Sequence, residues 1–305
     1  MSAVDDAFAR VENAFGRDFT PRTPREAVTA IGVTAFVTVV LVVTLIPIVW
    51  IVLTSFKEQP SVLRYPPQFV PDFTLGAYAK LFGQTSSMQY SGVDASMAFT
   101  SSIVVSLAST AIALALGVPA GYAYARNAGK IGGHHAAFWI LSVRMFPPIA
   151  PILPLFFIFQ NIGLVGTRTG LILLYLTFNV PLVVWLMRSF FRDVPKALEE
   201  AAMMDGYSRF QAFYKVSLPM VMPGLVATAL LTWIFAWNEF QFALVFGKDT
   251  SMTFPVMFIQ LHSAQNVLWN QMAALSTLGM LPIIVISVFL QKRLVRGLSL
   301  GAVKG

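Results

Sequence analysis

The chain is predicted to be an all-α membrane protein of about six transmembrane helices, and three observations carry that expectation. Of its 305 residues 56% are hydrophobic and only 11% charged, with mean hydropathy +0.70, whereas soluble domains carry about a quarter charged residues. The uncharged blocks between charged residues are long, and a helix needs roughly 20 apolar residues to cross about 30 Å of hydrocarbon. Within each block the apolar residues run continuously, without the ten-residue alternation of an outer-membrane barrel.

In chain order the blocks are Ala27 to Phe56, Ala95 to Ala125, Ile131 to Thr167 broken only by Arg144, Thr169 to Met187, Val216 to Asn238, and Ala273 to Leu290 within an uncharged stretch from Thr250 to Gln291. They place spans near 30–54, 97–124, 136–160, 169–188, 217–238 and 272–290. Residues 1–26 hold five acids and four arginines without an apolar core. They are expected to form a cytoplasmic arm, neither a cleavable signal nor a span. With that arm inside, 15 of the 21 lysines and arginines fall on the inner side and five outside, as the positive-inside rule requires. Both termini are then cytoplasmic, 27–290 form the transmembrane domain, and 291–305 are an inner tail. The net charge of +7 follows from this loop pattern, so nucleic acid is not an expected partner. Two outer segments, 57–94 with four prolines and 247–272 with His262, Asn266 and Trp269, read either as connectors or as a lid or docking surface. The third span contains Pro147, Pro148, Pro151 and Pro154, each lacking a backbone donor, so it is expected to kink or break.

The inner loop 193–219 carries the most information. Pro195 fits a helix's first turn, Leu198, Ala201 and Ala202 repeat at helical spacing, and Gly206 suits the left-handed residue that ends a helix. Ser208 and Gln211 then form a Ser-x-x-Gln capping box, Phe210, Phe213 and Tyr214 an apolar face, and Pro219 opens the fifth span. A helix, a glycine turn and a second helix are therefore expected. By chemistry alone they either pack beneath their own bundle or dock on a partner.

That arrangement resembles the EAA loop of binding-protein-dependent ABC permeases, in which Glu-Ala-Ala is followed by three residues, Gly, nine residues and Ile-x-Leu-Pro. Here the pattern is Glu200-Ala201-Ala202, Met203-Met204-Asp205, Gly206, nine residues, and Val216-Ser217-Leu218-Pro219. Valine for isoleucine is the one departure. From about residue 30 onward the likeness continues: Met145-Phe146-Pro147, Ala236-Trp237-Asn238-Glu239 and the ending Gly297 to Gly305 are similar to the shorter permease of maltose- or trehalose-type carbohydrate importers.

The resemblance implies the type I ABC importer permease fold in a prokaryotic inner or plasma membrane. It also implies that the 193–219 loop is a coupling helix seated on a partner ATPase: Glu200 pairing with a basic residue, Gly206 turning the chain, and Phe210, Phe213 and Tyr214 filling a cleft. The implied partners are a companion permease, an ATPase dimer that binds ATP and Mg, and an external sugar-binding protein that delivers the sugar. In such systems the glycine-rich tail reaches between the ATPase subunits; a frayed terminus is the alternative.

No phosphate-cradling Gly-x-x-x-x-Gly-Lys-Ser/Thr stretch occurs, and His134, His135 and His262 form no metal set with carboxylates. The chain is therefore expected to be a transport subunit with no catalytic residues and no bound cofactor or metal. Polar groups within spans are functional candidates by default. Arg144 sits roughly 13 Å deep at about 1.5 Å per residue and is read as a pathway residue, a contact to the companion subunit or half of a structural ion pair. Asn179, Asn238, Glu239 and Gln241 lie where a sugar path needs hydrogen-bonding groups, although interhelix bonding explains Asn179 equally well. A secondary transporter driven by an ion gradient is the alternative function. It needs intramembrane carboxylates, of which the spans supply almost none besides Glu239.

Overall fold

A computed structural model describes residues 24–69, 72–83, 95–127, 133–248, 250–262 and 267–302. Most of the expected 1–26 arm, Asn266 and the last three residues of the tail lie outside them. Every regular element among the described residues is helical, apart from an isolated bridge between His262 and Val267.

Residues 1–53 and 54–305 form two units. In the first, α1 (Pro24–Ser55) is apolar around its whole circumference, and side chains such as Phe36, Val39 and Leu41 are exposed. An all-round apolar helix belongs in lipid or against another subunit.

In the second unit α2 (Gln59–Val62) and α3 (Gly76–Leu81) precede α4 (Ala95–Arg126). Next come α5 (Gly133–Met145), α6 (Ile152–Asn161), α7 (Arg168–Asp193), α8 (Lys196–Met204) and α9 (Arg209–Ala212). A π-helical turn (Phe213–Ser217), α10 (Leu218–Met220), α11 (Met222–Trp237), α12 (Gln241–Phe246), α13 (Phe254–Gln260) and α14 (Trp269–Ala302) complete the chain. Four helices among the described residues are long and apolar enough to cross a bilayer, over Ile31–Ser55, Ala95–Arg126, Arg168–Asp193 and Trp269–Phe289.

The other two expected spans are interrupted, and proline explains both. Pro147, Pro148 and Pro151 occupy the gap between α5 and α6, while Pro154 falls in the first turn of α6, where a missing donor costs nothing. Segments Arg209–Met220 and Met222–Trp237 meet at a 77° bend, so the fifth span is a bent pair instead of one rod. Pro219 and Pro223 each sit in the first turn of a new helix on either side of Val221.

The most extensive helix pair is α4 with α7, and its close approach is built on small residues. Gly117 and Gly121 stand four apart on α4. A Cβ on Gly117 would lie 2.6 Å from Val183 Cγ1, and one on Gly121 would lie 3.0 Å from the Met187 Cβ and the Arg188 backbone nitrogen. In lipid, where apolar surface gains nothing by leaving solvent, such contact is what holds helices together. Gly117→Val is expected to overpack this seam by about 1–3 kcal/mol and to lower the thermal midpoint of the purified chain in detergent; an unchanged midpoint would contradict the seam.

Polar residues on α4 fix its other neighbours. Trp233 Nε1 donates to Ser106 Oγ at 3.1 Å, the Phe254 backbone nitrogen to Ser102 Oγ at 2.8 Å, and Ser101 Oγ to the Thr250 carbonyl at 3.2 Å. Hydrogen bonds also tie together described residues of the 57–94 and 247–272 segments. Lys57 Nζ donates to the Gln68 carbonyl at 2.6 Å, Gln59 Nε2 to Val267 O at 2.6 Å, and Asn270 Nδ2 to Lys57 O at 3.1 Å.

Candidate functional site

Between α7 and α11 the chain forms the expected helix, glycine turn and helix. The α8 end is closed by bonds from the Gly206 nitrogen to Met203 O at 3.1 Å and from the Tyr207 nitrogen to Ala202 O at 3.1 Å. That double closure is the Schellman pattern, which needs a left-handed residue at its centre. Gly206 supplies it with φ +91°, and nothing lies within 4 Å of where its Cβ would be. Ser208 caps α9 by accepting from the Gln211 nitrogen at 3.2 Å, and the Gln211 side chain returns to the Ser208 nitrogen at 2.8 Å.

Leu198, Ala201 and Ala202 repeat at helical spacing, but only Ala202 of the three is buried: Leu198 and Ala201 are exposed and the inner face is Glu199 with Ala202. The reason is a charged partner on α4. Glu199 is 6% exposed; its Oε1 accepts from Arg126 Nη2 at 2.5 Å and Nε at 2.8 Å, its Oε2 from Tyr122 OH at 2.9 Å, and Ser217 Oγ of the π-helical turn donates to Oε1 as well. Arg126 spends further donors on the Phe191 and Val194 carbonyls at the end of α7, at 2.8 and 3.1 Å. One carboxylate thus ties α8, α4, α7 and the π turn together. A buried acid is tolerable only with such a complete set of partners.

Burial pushes the Glu199 carboxyl up, but hydrogen bonds from Arg126, Ser217 and Tyr122 and the guanidinium charge hold it below its ordinary value of 4.5. A group whose folded value is depressed stabilises the fold above its unfolded value and loses that contribution as the pH falls through the folded one. The gap in thermal midpoint between the parent chain and Glu199→Gln is therefore expected to stay constant from neutral pH to about pH 5, then close at lower pH. A gap that instead opened on acidification would contradict this assignment.

Phe213 is corrected by the structure. It was expected to fill a partner's cleft with Phe210 and Tyr214, but it turns inward, 4.6 Å from the Tyr122 ring centroid and 5.9 Å from Phe191. The π turn begins at Phe213 and widens the register after it, and Ser217 at its end is buried against the bundle. Phe210 and Tyr214 remain 74% and 63% exposed, and Met204, not singled out in the sequence, is 88% exposed. Glu200, Asp205 and Pro219 are exposed, Ala202 is buried and Leu218 half-buried.

The polar candidates in the spans gather around a stacked pair, Phe178 and Phe242, 6.3 Å apart. Arg144 Nη1 donates to the Phe178 carbonyl at 3.0 Å, and its guanidinium lies 4.2 Å over the Phe235 ring; its described contacts are a carbonyl and a ring, not a carboxylate. The acceptor lies next to the Thr177 carbonyl, whose helical donor is removed by Pro181. Asn179 is fully buried and neither amide atom finds a partner among the described residues. Glu239 caps α12, accepting from the Phe242 and Ala243 nitrogens at 2.9 and 3.1 Å, a structural task that its reading as a pathway group had not included. Gln241 is half-buried at the head of α12, and Asn238 is exposed with its amide bonded to the Ile234 carbonyl at 2.8 Å. Among the described residues no cluster of His, Cys, Asp or Glu could hold a metal.

Residues 113–300 match the family described as the binding-protein-dependent transport system inner membrane component. The chain is 38% identical over 274 residues to the trehalose transport system permease protein SugB of Mycobacterium tuberculosis, covering 88% of this chain and 95% of that one. It is 32% identical over 268 residues to the trehalose/maltose transport system permease protein MalG of Thermococcus litoralis, covering 87% and 93%. It is 32% identical over 288 residues to the inner membrane ABC transporter permease protein YcjP of Escherichia coli, covering 93% and 99%. Its fold matches a chain from the crystal structure of a bacterial ABC transporter involved in the import of the acidic polysaccharide alginate, with TM-score 0.69 at 21% identity over 88% of this chain and 98% of that one. With its multiple membrane-spanning helices, the chain therefore belongs to the inner-membrane permease components of binding-protein-dependent ABC transport systems.

Proposed function

We propose that this chain is one of two permeases of an ATP-driven importer for a trehalose- or maltose-like sugar or a related glucoside or polyol, and that its 193–219 loop docks on the ATPase. The observation that supports docking is the set of large apolar side chains that loop exposes. One of its acids, Glu199, is turned into the protein while Leu198, Met204, Phe210 and Tyr214 are exposed. A connector that only packed beneath its own bundle would bury those four and solvate the acid. A few large exposed anchors around a turn are what a partner's pocket uses to gain most of an interface's energy. The sugar class rests on two of the named relatives, the trehalose and the trehalose/maltose transport system permease proteins.

In the cycle, ATP binding closes the partner ATPase subunits, the docked loop moves with them, and the spans switch from inward- to outward-facing to receive sugar from the external binding protein. Hydrolysis resets them. ATP and Mg stay on the ATPase, and the companion permease completes the path, which on this side includes Arg144, Asn179, Asn238, Glu239 and Gln241. The inner face carries both termini.

The test is reconstitution. The chain, purified with its companion permease and ATPase and placed in liposomes with its binding protein outside, is expected to take up radiolabelled trehalose or maltose only when ATP is present with the ATPase. Uptake driven by an ion gradient in liposomes lacking the ATPase would establish secondary transport instead.

A further inference from the structure

We infer that Glu199 is the joint through which movement of the docked loop enters the membrane helices, with Arg126, Tyr122 and Ser217 as its sockets. This rests on the docking reading above and adds what lies behind the docked surface. Of α8, the exposed face is available to a partner, while the inner face, Glu199 with Ala202, makes its described side-chain hydrogen bonds to the bundle through one carboxylate. That carboxylate reaches three elements at once: α4 through Arg126 and Tyr122, the π turn through Ser217, and the end of α7 through the two carbonyls that Arg126 also holds.

The three elements fall into two groups. Through its glycine seam α4 is packed tightly on α7, and through the Ser106 to Trp233 bond it also reaches α11. The π turn leads directly into the 77° bend ahead of α11. A displacement of α8 is thereby divided between the α4–α7 pair and the bent fifth span. Around the joint, Tyr122, Phe191 and Phe213 pack ring against ring. They exclude water from the bonds and keep them stiff, because a hydrogen bond in a dry setting is stronger than one in solvent. Glu200, one residue along and exposed, has no such role. In an adjacent pair of acids, the first faces the bundle and the second faces the partner.

Glu199 and its partners are positioning residues, so the readout is coupling, measured as sugar imported per ATP hydrolysed by the reconstituted complex. Ser217→Ala and Tyr122→Phe each remove one bond and leave the ion pair; Glu199→Gln removes the charge; Glu199→Asp keeps it on a shorter stem. We expect sugar per ATP to fall about 5- to 150-fold in Glu199→Gln, with smaller losses in Ser217→Ala and Tyr122→Phe and partial recovery in Glu199→Asp, while ATPase subunits still co-purify in unchanged ratio. An unchanged ratio of sugar to ATP in Glu199→Gln overturns the proposal. So does a loss of uptake that tracks only the loss of assembled complex across all four variants. Gly206→Trp, run in parallel, separates the two readings: if it stops transport while Glu199→Gln does not, the loop docks but this joint is not the route. If neither matters, the docking reading itself has failed.

Discussion

Replacing Gly206 with tryptophan is expected to abolish ATP-driven uptake while leaving the permease folded, and comparison with Gly206→Ala assigns the cause. At φ +91° any L residue is strained, by about 1–2 kcal/mol, so alanine and tryptophan share that cost. They differ in bulk. Nothing lies within 4 Å of the Gly206 Cβ position, so a side chain there starts from open space in the loop that also exposes Met204 and Phe210. Bulk therefore acts on whatever docks there. Uptake and ATPase co-purification are expected to survive Gly206→Ala in large part and to be lost in Gly206→Trp, with similar thermal midpoints for the two isolated permeases. Equal uptake by both variants would show that the turn faces no partner.

Arg126→Ala is expected to give the largest loss of stability of any change considered. The ion pair it removes lies between side chains that are 10% and 8% exposed, and removing one partner strands the other charge where water reaches it poorly. Such losses run to about 3–5 kcal/mol. Here the Phe191 and Val194 carbonyls also lose a donor each. Thermal unfolding in detergent is the measurement. The double variant Arg126→Ala with Glu199→Gln is expected to recover part of the loss, because it removes the stranded carboxylate, and strict additivity of the two changes would contradict a direct pair. Arg126→Lys is expected to recover little, since an ammonium cannot reach the carboxylate and two carbonyls as the planar guanidinium does.

Much of this organisation is legible in the sequence, and the parts that are not share a cause. The helices, the Gly206 turn and the Ser208 capping box follow from local rules: apolar runs, a residue free to adopt positive φ, and an oxygen three residues from an orphan donor. The break at Pro147 to Pro151 is local as well. Glu199 escaped notice because its role depends on Arg126 and Tyr122, more than 70 residues earlier. The spacing of those two, one turn apart at the C-terminal end of α4, was a usable sign that they serve one partner. Helical spacing groups Phe213 with Phe210, and its packing on Tyr122 of α4 and Phe191 of α7 is a tertiary contact that residue type does not mark. Glu239 looked like a lone intramembrane acid until α12 supplied the two amides it caps, although an acid just ahead of the Phe242 to Phe246 run was a local hint.

The most direct test of the docking reading uses the absence of cysteine from the sequence. With Met204→Cys as the sole thiol, a membrane-impermeant maleimide is expected to label inside-out vesicles stripped of ATPase, to label them far less once the ATPase subunits are restored, and to leave right-side-out vesicles unlabelled. Labelling from the outer face, or labelling indifferent to the ATPase, would contradict it.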